Sequence, residues 1–127
     1  MRIDVVGPCA SGKSLLVARL RADGHDAHQC SQEHSDIPDM WCKFCRPDLL
    51  IYLDASIETI AARRDIGWGA PRLAVLQTRL AHARAHCDLY ISTDGLTPEE
   101  VLRLVLDFLK NRDRAMRQGG SACAARY

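Results

Sequence analysis

The fold is decided by residues 7–14, which read Gly7-Pro8-Cys9-Ala10-Ser11-Gly12-Lys13-Ser14. This stretch matches the pattern G-x-x-x-x-G-K-[ST] at every fixed position. An apolar run at residues 1–6 precedes it, and the apolar residues that follow recur at helical spacing, namely Leu15, Leu16, Val17 and Leu20. The sequence therefore predicts a strand, a glycine-rich loop (residues 7–14) and a helix that ends near Gly24.

Each fixed position of the glycine-rich loop has a chemical reason if the loop binds phosphate. Glycines let successive backbone amides converge on an anion, and the following helix adds its N-terminal amides and dipole. Lys13 supplies a mobile positive charge for the β- and γ-phosphates, and Ser14 offers a hydroxyl to a bridging magnesium ion. A turn formed for steric reasons is the alternative, but the flanking strand and helix favour a nucleotide site. The predicted site consists of Gly7, Pro8, Cys9, Ala10, Ser11, Gly12, Lys13, Ser14 and Leu15.

Strands and helices alternate along the rest of the chain. Periodicity and turn residues predict a strand at 25–30, a strand at 49–53, a helix at 56–64, a helix from Pro71, a strand at 89–91 and a helix at 97–110. Thr97 and Glu100 form a capping box at the start of the last helix. The alternation predicts an α/β domain over residues 1–110, with a parallel sheet of about four strands and helices on both faces. Residues 111–127 are expected to form a frayed tail.

Composition and charge exclude several classes of function. The 127 residues suit one domain, and 17 basic against 16 acidic residues leave a net charge of +1, which gives no reason to expect a nucleic-acid or membrane partner. No apolar run approaches the ~20 residues of a membrane span, and the first residues lack the apolar core of a signal peptide. We therefore expect a cytoplasmic protein whose six cysteines are reduced thiols.

Two later stretches extend the pattern that begins with the glycine-rich loop: PDLLIYLDASIETIAARR at 47–64 and CDLYISTDGLTPEEVLRLVLDFL at 87–109. Together the three stretches resemble the small P-loop kinases that phosphorylate nucleotides, nucleosides and other metabolites. The resemblance implies a three-layer P-loop fold, bound ATP and Mg²⁺, and an arginine-bearing lid over the phosphates. By position Arg63 and Arg64 belong to that lid, where arginine can bind phosphate with two parallel hydrogen bonds. Alternatively they are solvated charges at a helix end, or Arg72 or Arg79 takes the role.

An acidic residue is expected to assist the loop serine at the magnesium ion, at the end of a strand beside the loop. Asp54 ends the strand 49–53, although it could instead cap the next helix, and Glu33 follows the strand 25–30. By analogy the second strand lies beside the first, which favours Glu33; Asp36 and Asp39 are further candidates. The predicted catalytic residues are Lys13, Glu33, Arg63 and Arg64.

Cysteine, histidine and tryptophan residues suggest further sites. Four potential zinc ligands fall within sixteen residues, namely Cys30, His34, Cys42 and Cys45. Only Cys42 and Cys45 have the usual short spacing, so we expect free thiols and no Zn²⁺ site. His82 and His86 lie one helical turn apart, with no third ligand nearby. Trp41 and Trp68 could stack on a base, but aromatic residues of small domains more often pack in the core.

The sequence leaves two functions open. One is phosphate transfer from Mg-ATP to an unknown small-molecule acceptor, and the other is a nucleotide hydrolase or a nucleotide-dependent switch or binding module without an acceptor. The second is supported by a departure from the kinases, because only residues 31–48 stand where those proteins have an acceptor-binding segment. ATP is favoured over GTP because no N/T-K-x-D pattern is present to read guanine. A second subunit could complete the acceptor site, so a homo-oligomer is a further alternative.

Overall fold

A computed structural model describes residues 2–8, 11–63, 69–117 and 125–126 of the chain. The elements in chain order are β1 (Arg2–Val6), α1 (Lys13–Ala22), β2 (Asp26–Gln29), a 3₁₀ turn (Gln32–His34), a π-helical turn (Trp41–Cys45), β3 (Leu49–Asp54), α2 (Ile57–Arg63), α3 (Ala70–His86), β4 (Leu89–Ser92), α4 (Pro98–Arg117) and β5 (Ala125–Arg126). The α/β class predicted from the alternation of strands and helices is therefore confirmed.

The strands form one parallel sheet in the order β2-β1-β3-β4-β5. β1 lies between β2 and β3, with Val5 opposite Gln29 on one side and Val6 opposite Tyr52 on the other. The predicted parallel sheet is confirmed, and it gains β5 from a region expected to be a tail. A two-residue strand has no periodicity that sequence could reveal. Because parallel strands end at the same edge of a sheet, the ends of β2 and β3 flank the glycine-rich loop.

Alternate strand residues pack into two separate apolar clusters. One cluster joins the sheet to α1 and α4 through Ile3, Val5, Ile51, Ile91, Leu16, Leu20, Val105 and Phe108. The other contains α3 residues and the intervening strand residues, among them Val6, Leu50, Tyr52, Leu80 and Ala83. Neighbouring strand residues belong to different clusters because successive side chains of a strand point to opposite faces of the sheet.

α4 begins where predicted and ends later than predicted. The backbone N–H of Glu100 donates to the Thr97 hydroxyl, and the backbone N–H of Thr97 donates to the Glu100 carboxylate, both at 3.2 Å, so the capping box is present. The helix continues past Lys110 to Arg117, because residues 111–117 contain no glycine or proline to stop it. Within the described ranges, no helix combines the length and the apolar character that crossing a membrane requires.

Candidate functional site

The glycine-rich loop joins the end of β1 to the start of α1 and depends on glycine at two positions. Gly7 has φ +155°, and a Cβ atom there would lie 2.1 Å from the carbonyl oxygen of Leu53 in β3. Any side chain at residue 7 would therefore push the loop away from the sheet. Gly12 has φ +103°, a conformation that other residues rarely adopt. Cys9 and Ala10, two residues of the predicted site, lie outside the described residues.

The first turn of α1 lies at the end of the loop and has no side-chain cap among the described residues. The helix follows Gly12 without a side-chain cap, and its first turn contains no acidic residue. An uncapped helix N-terminus leaves N–H groups whose dipoles attract anions. Ser14 and Leu15 of this turn are exposed, so a ligand can reach them from solvent.

Lys13 is buried beside the loop, where it has three polar partners among the described residues. Its ammonium group donates to the carbonyl oxygens of Gly7 at 2.7 Å and Pro8 at 3.0 Å. Its Nζ also lies 3.3 Å from Oε1 of Glu33, and the two side chains are 5% and 3% exposed. Three partners match the three N–H bonds of the ammonium group. The carboxylate offsets the loss of water around the buried positive charge.

Two buried polar atoms near this lysine have no hydrogen-bond partner within the part of the chain that the structure describes. They are Oγ of Ser11 and Oε2 of Glu33, in residues that are 1% and 2% exposed. Buried polar groups are almost always paired, and an unpaired one costs about 1–3 kcal/mol. Unpaired atoms beside an uncapped helix N-terminus are therefore a reason to expect a polar ligand.

Ser14, the predicted metal ligand, contacts a residue to which the sequence did not point. Its hydroxyl donates to Oε1 of Gln29 at 2.8 Å. Gln29 is the last residue of β2 and lies opposite Val5 of β1, so the end of β2 stands beside the first turn of α1. Gln29 is neutral and is therefore not one of the acidic residues expected to assist Ser14 at the metal. Its position at the end of the strand adjacent to β1 is the signal that would have identified it.

Asp54, the other candidate for the metal, has a carboxylate that is already engaged. Its Oδ2 accepts a hydrogen bond from the Tyr90 hydroxyl, and its Oδ1 accepts one from the backbone N–H of Ala55 at 2.9 Å. The remaining acidic candidates form ion pairs nearer the surface, Asp36 with Arg79 at 2.9 Å and Asp39 with Lys43 at 3.3 Å. Of the four acidic candidates, Glu33 is the one that the structure brings to the glycine-rich loop.

The structure places one of the two predicted lid arginines. Arg63 ends α2 and donates from Nη1 to the Thr93 hydroxyl and from Nη2 to the Thr93 carbonyl oxygen, both at 3.0 Å. Arg64 lies outside the described residues. Of the two alternatives, Arg72 is exposed near the start of α3, and Arg79 reaches the Glu33 carbonyl oxygen at 3.4 Å.

A cavity of 320 Å³ adjoins the glycine-rich loop, close to the lower size limit of small-molecule sites. Apolar side chains from α1, the end of β3 and the start of α4 form most of its wall. The lining residues are Ser11, Gly12, Leu15, Leu16, Arg19, Leu53, Arg63, Thr93, Leu96, Pro98 and Val101. The cavity thus continues from the loop towards Arg63 and the segment that follows β4.

The cysteine and histidine candidates are not assembled into a metal site. Among the described residues, no three His, Cys, Asp or Glu side chains are grouped to hold a metal ion. Cys30, Cys42 and Cys45 are free thiols. Burial, together with the neighbouring Cys45 thiol, raises the pKa of the Cys30 thiol, which therefore stays protonated at neutral pH.

Trp41 packs against α3 and not against the glycine-rich loop. Its ring N–H donates to Nδ1 of His82 at 3.0 Å, and the rings of His82 and His86 stack with 4.2 Å between their centroids. The two histidines thus serve an aromatic contact with the π-helical turn. Trp68, the other candidate for base stacking, lies outside the described residues.

No protein-family model matches the chain, and no curated protein matches it.

Proposed function

We propose that this chain binds Mg-ATP at the glycine-rich loop and transfers the γ-phosphate to a small-molecule acceptor. The observation that carries the proposal is the buried ammonium group of Lys13, held on loop carbonyls beside an uncapped helix N-terminus. The unpaired hydroxyl of Ser11 adds a possible donor to a site suited to a polar, strongly anionic ligand. Because the loop matches the P-loop pattern, the proposed anionic ligand is the phosphate chain of a nucleotide.

The proposal includes a three-layer P-loop fold with helices on both faces of the sheet. It is supported by the alternation of strand residues between the cluster that contains α1 and α4 and the cluster that contains α3. It is also supported by the position of the loop at the carboxyl end of a parallel strand, where α/β proteins bind ligands.

The cavity beside the loop is the proposed site of the nucleotide base. Its walls include Leu15, Leu96 and Val101, which suit a flat ring. The described lining contains no carboxylate that would accept the N–H groups of guanine. This chemistry favours ATP over GTP.

The side chains at the loop fit a magnesium ion that is held mainly by phosphates. Mg²⁺ takes oxygen ligands and keeps several waters. Ser14 and Gln29 supply neutral oxygens 2.8 Å apart at the start of α1. In the proposal Ser14 would hold the ion, which would supply positive charge to offset that of the phosphates.

The proposed reaction gives separate tasks to three side chains. Lys13 exchanges its contacts with loop carbonyls for contacts with phosphate oxygens. Arg63 leaves Thr93 and donates to the transferring phosphoryl group. Its guanidinium group is planar and permanently charged, so it can bind phosphate oxygens with two parallel hydrogen bonds. Glu33 accepts the proton of the attacking hydroxyl at Oε2. These tasks require positioning and charge stabilisation, which account for most of the catalysis of phosphoryl transfer.

Calorimetric titration with Mg²⁺ and a non-hydrolysable ATP analogue tests the donor site. Lys13→Ala removes a charge-assisted contact, so Kd should rise about 10- to 100-fold. Lys43→Ala is the matched control, because Lys43 is exposed and pairs with Asp39 on the surface, and its Kd should not change. Circular dichroism verifies that each variant is folded. Equal affinity of wild type and Lys13→Ala, or no binding by folded wild type, would refute the proposal.

Turnover separates the kinase from the hydrolase and from a binding module. ADP formation is measured with Mg-ATP alone and with a panel of hydroxyl-bearing metabolites. A kinase forms ADP in proportion to a phosphorylated acceptor, whereas a hydrolase forms ADP and inorganic phosphate without one. Binding without ADP formation under either condition would contradict phosphate transfer and leave the nucleotide site intact.

A further inference from the structure

The oxygen beside Ser14 is chemically different from the one that a P-loop site leads us to expect. Such sites hold Mg²⁺ with the loop serine or threonine and with a carboxylate. Here β2, one of the two strands beside β1, ends in Gln29, whose Oε1 accepts the Ser14 hydroxyl at 2.8 Å, while β3, the other, ends in Asp54. We propose that Gln29 positions the magnesium ion, as a neutral amide that contacts the loop serine. This inference rests on the proposed function, because it concerns the metal that binds with the nucleotide.

The geometry of β2 explains why residue 29 occupies this place. Ala27 and Gln29 are two residues apart, so their side chains point to the same face of the sheet. Ala27 is buried in the cluster that contains α1. Gln29 lies one step further along that face, at the end of the strand, where it meets the first turn of α1. Its side chain is exposed, so water and ions reach the amide oxygen.

The ionisable groups near the end of β2 have other partners. Glu33 Oε1 lies 3.3 Å from the Lys13 ammonium group. The His28 ring pairs with Asp26 at 2.6 Å. At the end of β3, the carboxylate of Asp54 accepts hydrogen bonds from Tyr90 and Ala55. Among the described side chains, the contact with the Ser14 hydroxyl is therefore made by the glutamine and by none of these groups.

A neutral amide changes the balance of charge at the metal. A carboxylate at this position would attract Mg²⁺ and would repel the phosphates whenever the metal is absent. Both effects make nucleotide binding depend strongly on Mg²⁺. An amide oxygen instead orients the serine hydroxyl or a metal-bound water by hydrogen bonding, without adding charge. We therefore expect the natural protein to depend less on Mg²⁺ than a variant with glutamate at residue 29.

The test measures Kd for a fluorescent ATP analogue in Mg²⁺ and in EDTA, for wild type and three variants. Gln29→Glu adds the carboxylate, and the Coulomb attraction of a divalent ion should raise the ratio of the EDTA Kd to the Mg²⁺ Kd about tenfold. Gln77→Glu adds the same charge at an exposed position on α3 and should leave the ratio unchanged. Gln29→Met removes the oxygen at similar length and should lower the ratio.

The outcomes separate this inference from the proposed function. A higher ratio in Gln29→Glu alone, with weaker binding in EDTA, supports the role of Gln29 in positioning the metal. Equal ratios in wild type, Gln29→Glu and Gln77→Glu overturn that role, while Lys13-dependent binding keeps the nucleotide site. No binding by wild type in either solution overturns the proposed function and this inference with it.

Discussion

The buried pair of Lys13 and Glu33 can be tested by removing one charge at a time. Glu33→Gln keeps the shape of the side chain and an oxygen that can accept from the ammonium group, but it leaves a buried positive charge without a counter-charge. Lys13→Met leaves the carboxylate, which already has one unpaired oxygen, without its lysine. Each single change therefore exposes the cost of burying one ion without its main partner, although Glu33 Oε1 also lies 3.6 Å from Nε2 of His34.

The burial of the ion pair and the hydrogen bonds that remain determine how far each substitution should lower the free energy of unfolding. Breaking a buried ion pair by removing one partner costs about 3–5 kcal/mol. Glu33→Gln should be near the lower value, because Lys13 keeps its bonds to Gly7 and Pro8. Lys13→Met should also fall within this range, because Glu33 Oε1 loses its 3.3 Å contact with the ammonium group and keeps Nε2 of His34 at 3.6 Å. In the double variant neither charge remains, so its loss should be smaller than the sum by about 2–3 kcal/mol.

Urea unfolding followed by circular dichroism at neutral pH measures these free energies. The matched control is the pair of Lys43 and Asp39, whose atoms are also 3.3 Å apart but whose side chains are 61% and 31% exposed. Such a surface pair is worth about 0.3–0.5 kcal/mol, so Lys43→Met should have little effect. The reasoning fails if Glu33→Gln and Lys13→Met each cost less than about 1 kcal/mol or if their effects add.

Two further predictions concern backbone geometry and pH. Gly7→Ala should destabilise the protein by at least about 2 kcal/mol, because its Cβ would meet the Leu53 carbonyl oxygen at 2.1 Å. Gly24→Ala, whose Cβ meets nothing within 4 Å, should cost about 1 kcal/mol for its positive φ in the same urea titration. Burial raises the pKa of Asp4 above 3.8 in the folded protein, so the free energy of unfolding falls as pH rises between the unfolded and folded pKa values. Asp4→Asn should therefore stabilise the protein at neutral pH, and urea titrations over a pH series should show this gain disappearing below pH 3.8. A gain that does not change with pH would contradict that account.

The features that sequence predicted well depend on local patterns. The strand, loop and helix around residues 7–14 follow from glycine positions and a change of period, both visible within about twenty residues. The capping box of Thr97 and Glu100 is likewise a local signal, and the structure confirms it. The roles of Lys13, Ser14 and Arg63 in binding phosphate stay predictions, although the structure brings all three to one edge of the sheet.

The features that sequence did not predict depend on the register in which strands pair. The contact between Ser14 and Gln29 requires β2 to pair with β1 in one register, with Val5 opposite Gln29. No pattern in the sequence predicts that register. Glu33 is a different case: the sequence favoured it because the second strand was expected beside the first, and the structure has that adjacency and brings Glu33 to Lys13. β5 was missed for a related reason, since two residues become a strand only by pairing with β4.

The charge balance at the loop links nucleotide binding to acceptor binding if the proposed function holds. Glu33 is buried, and Lys13 is the lysine that neutralises it. Once phosphates attract the lysine, the carboxylate lies beside a polyanion, which is unfavourable in a site of low polarity. A hydroxyl that donates to the unpaired Oε2 relieves that cost. An acceptor should therefore bind more tightly to the nucleotide-bound protein than to the free protein, and Glu33→Gln should abolish the difference because its neutral amide needs no such donor. If nucleotide tightens acceptor binding equally in wild type and Glu33→Gln, the acceptor contacts a group other than Glu33.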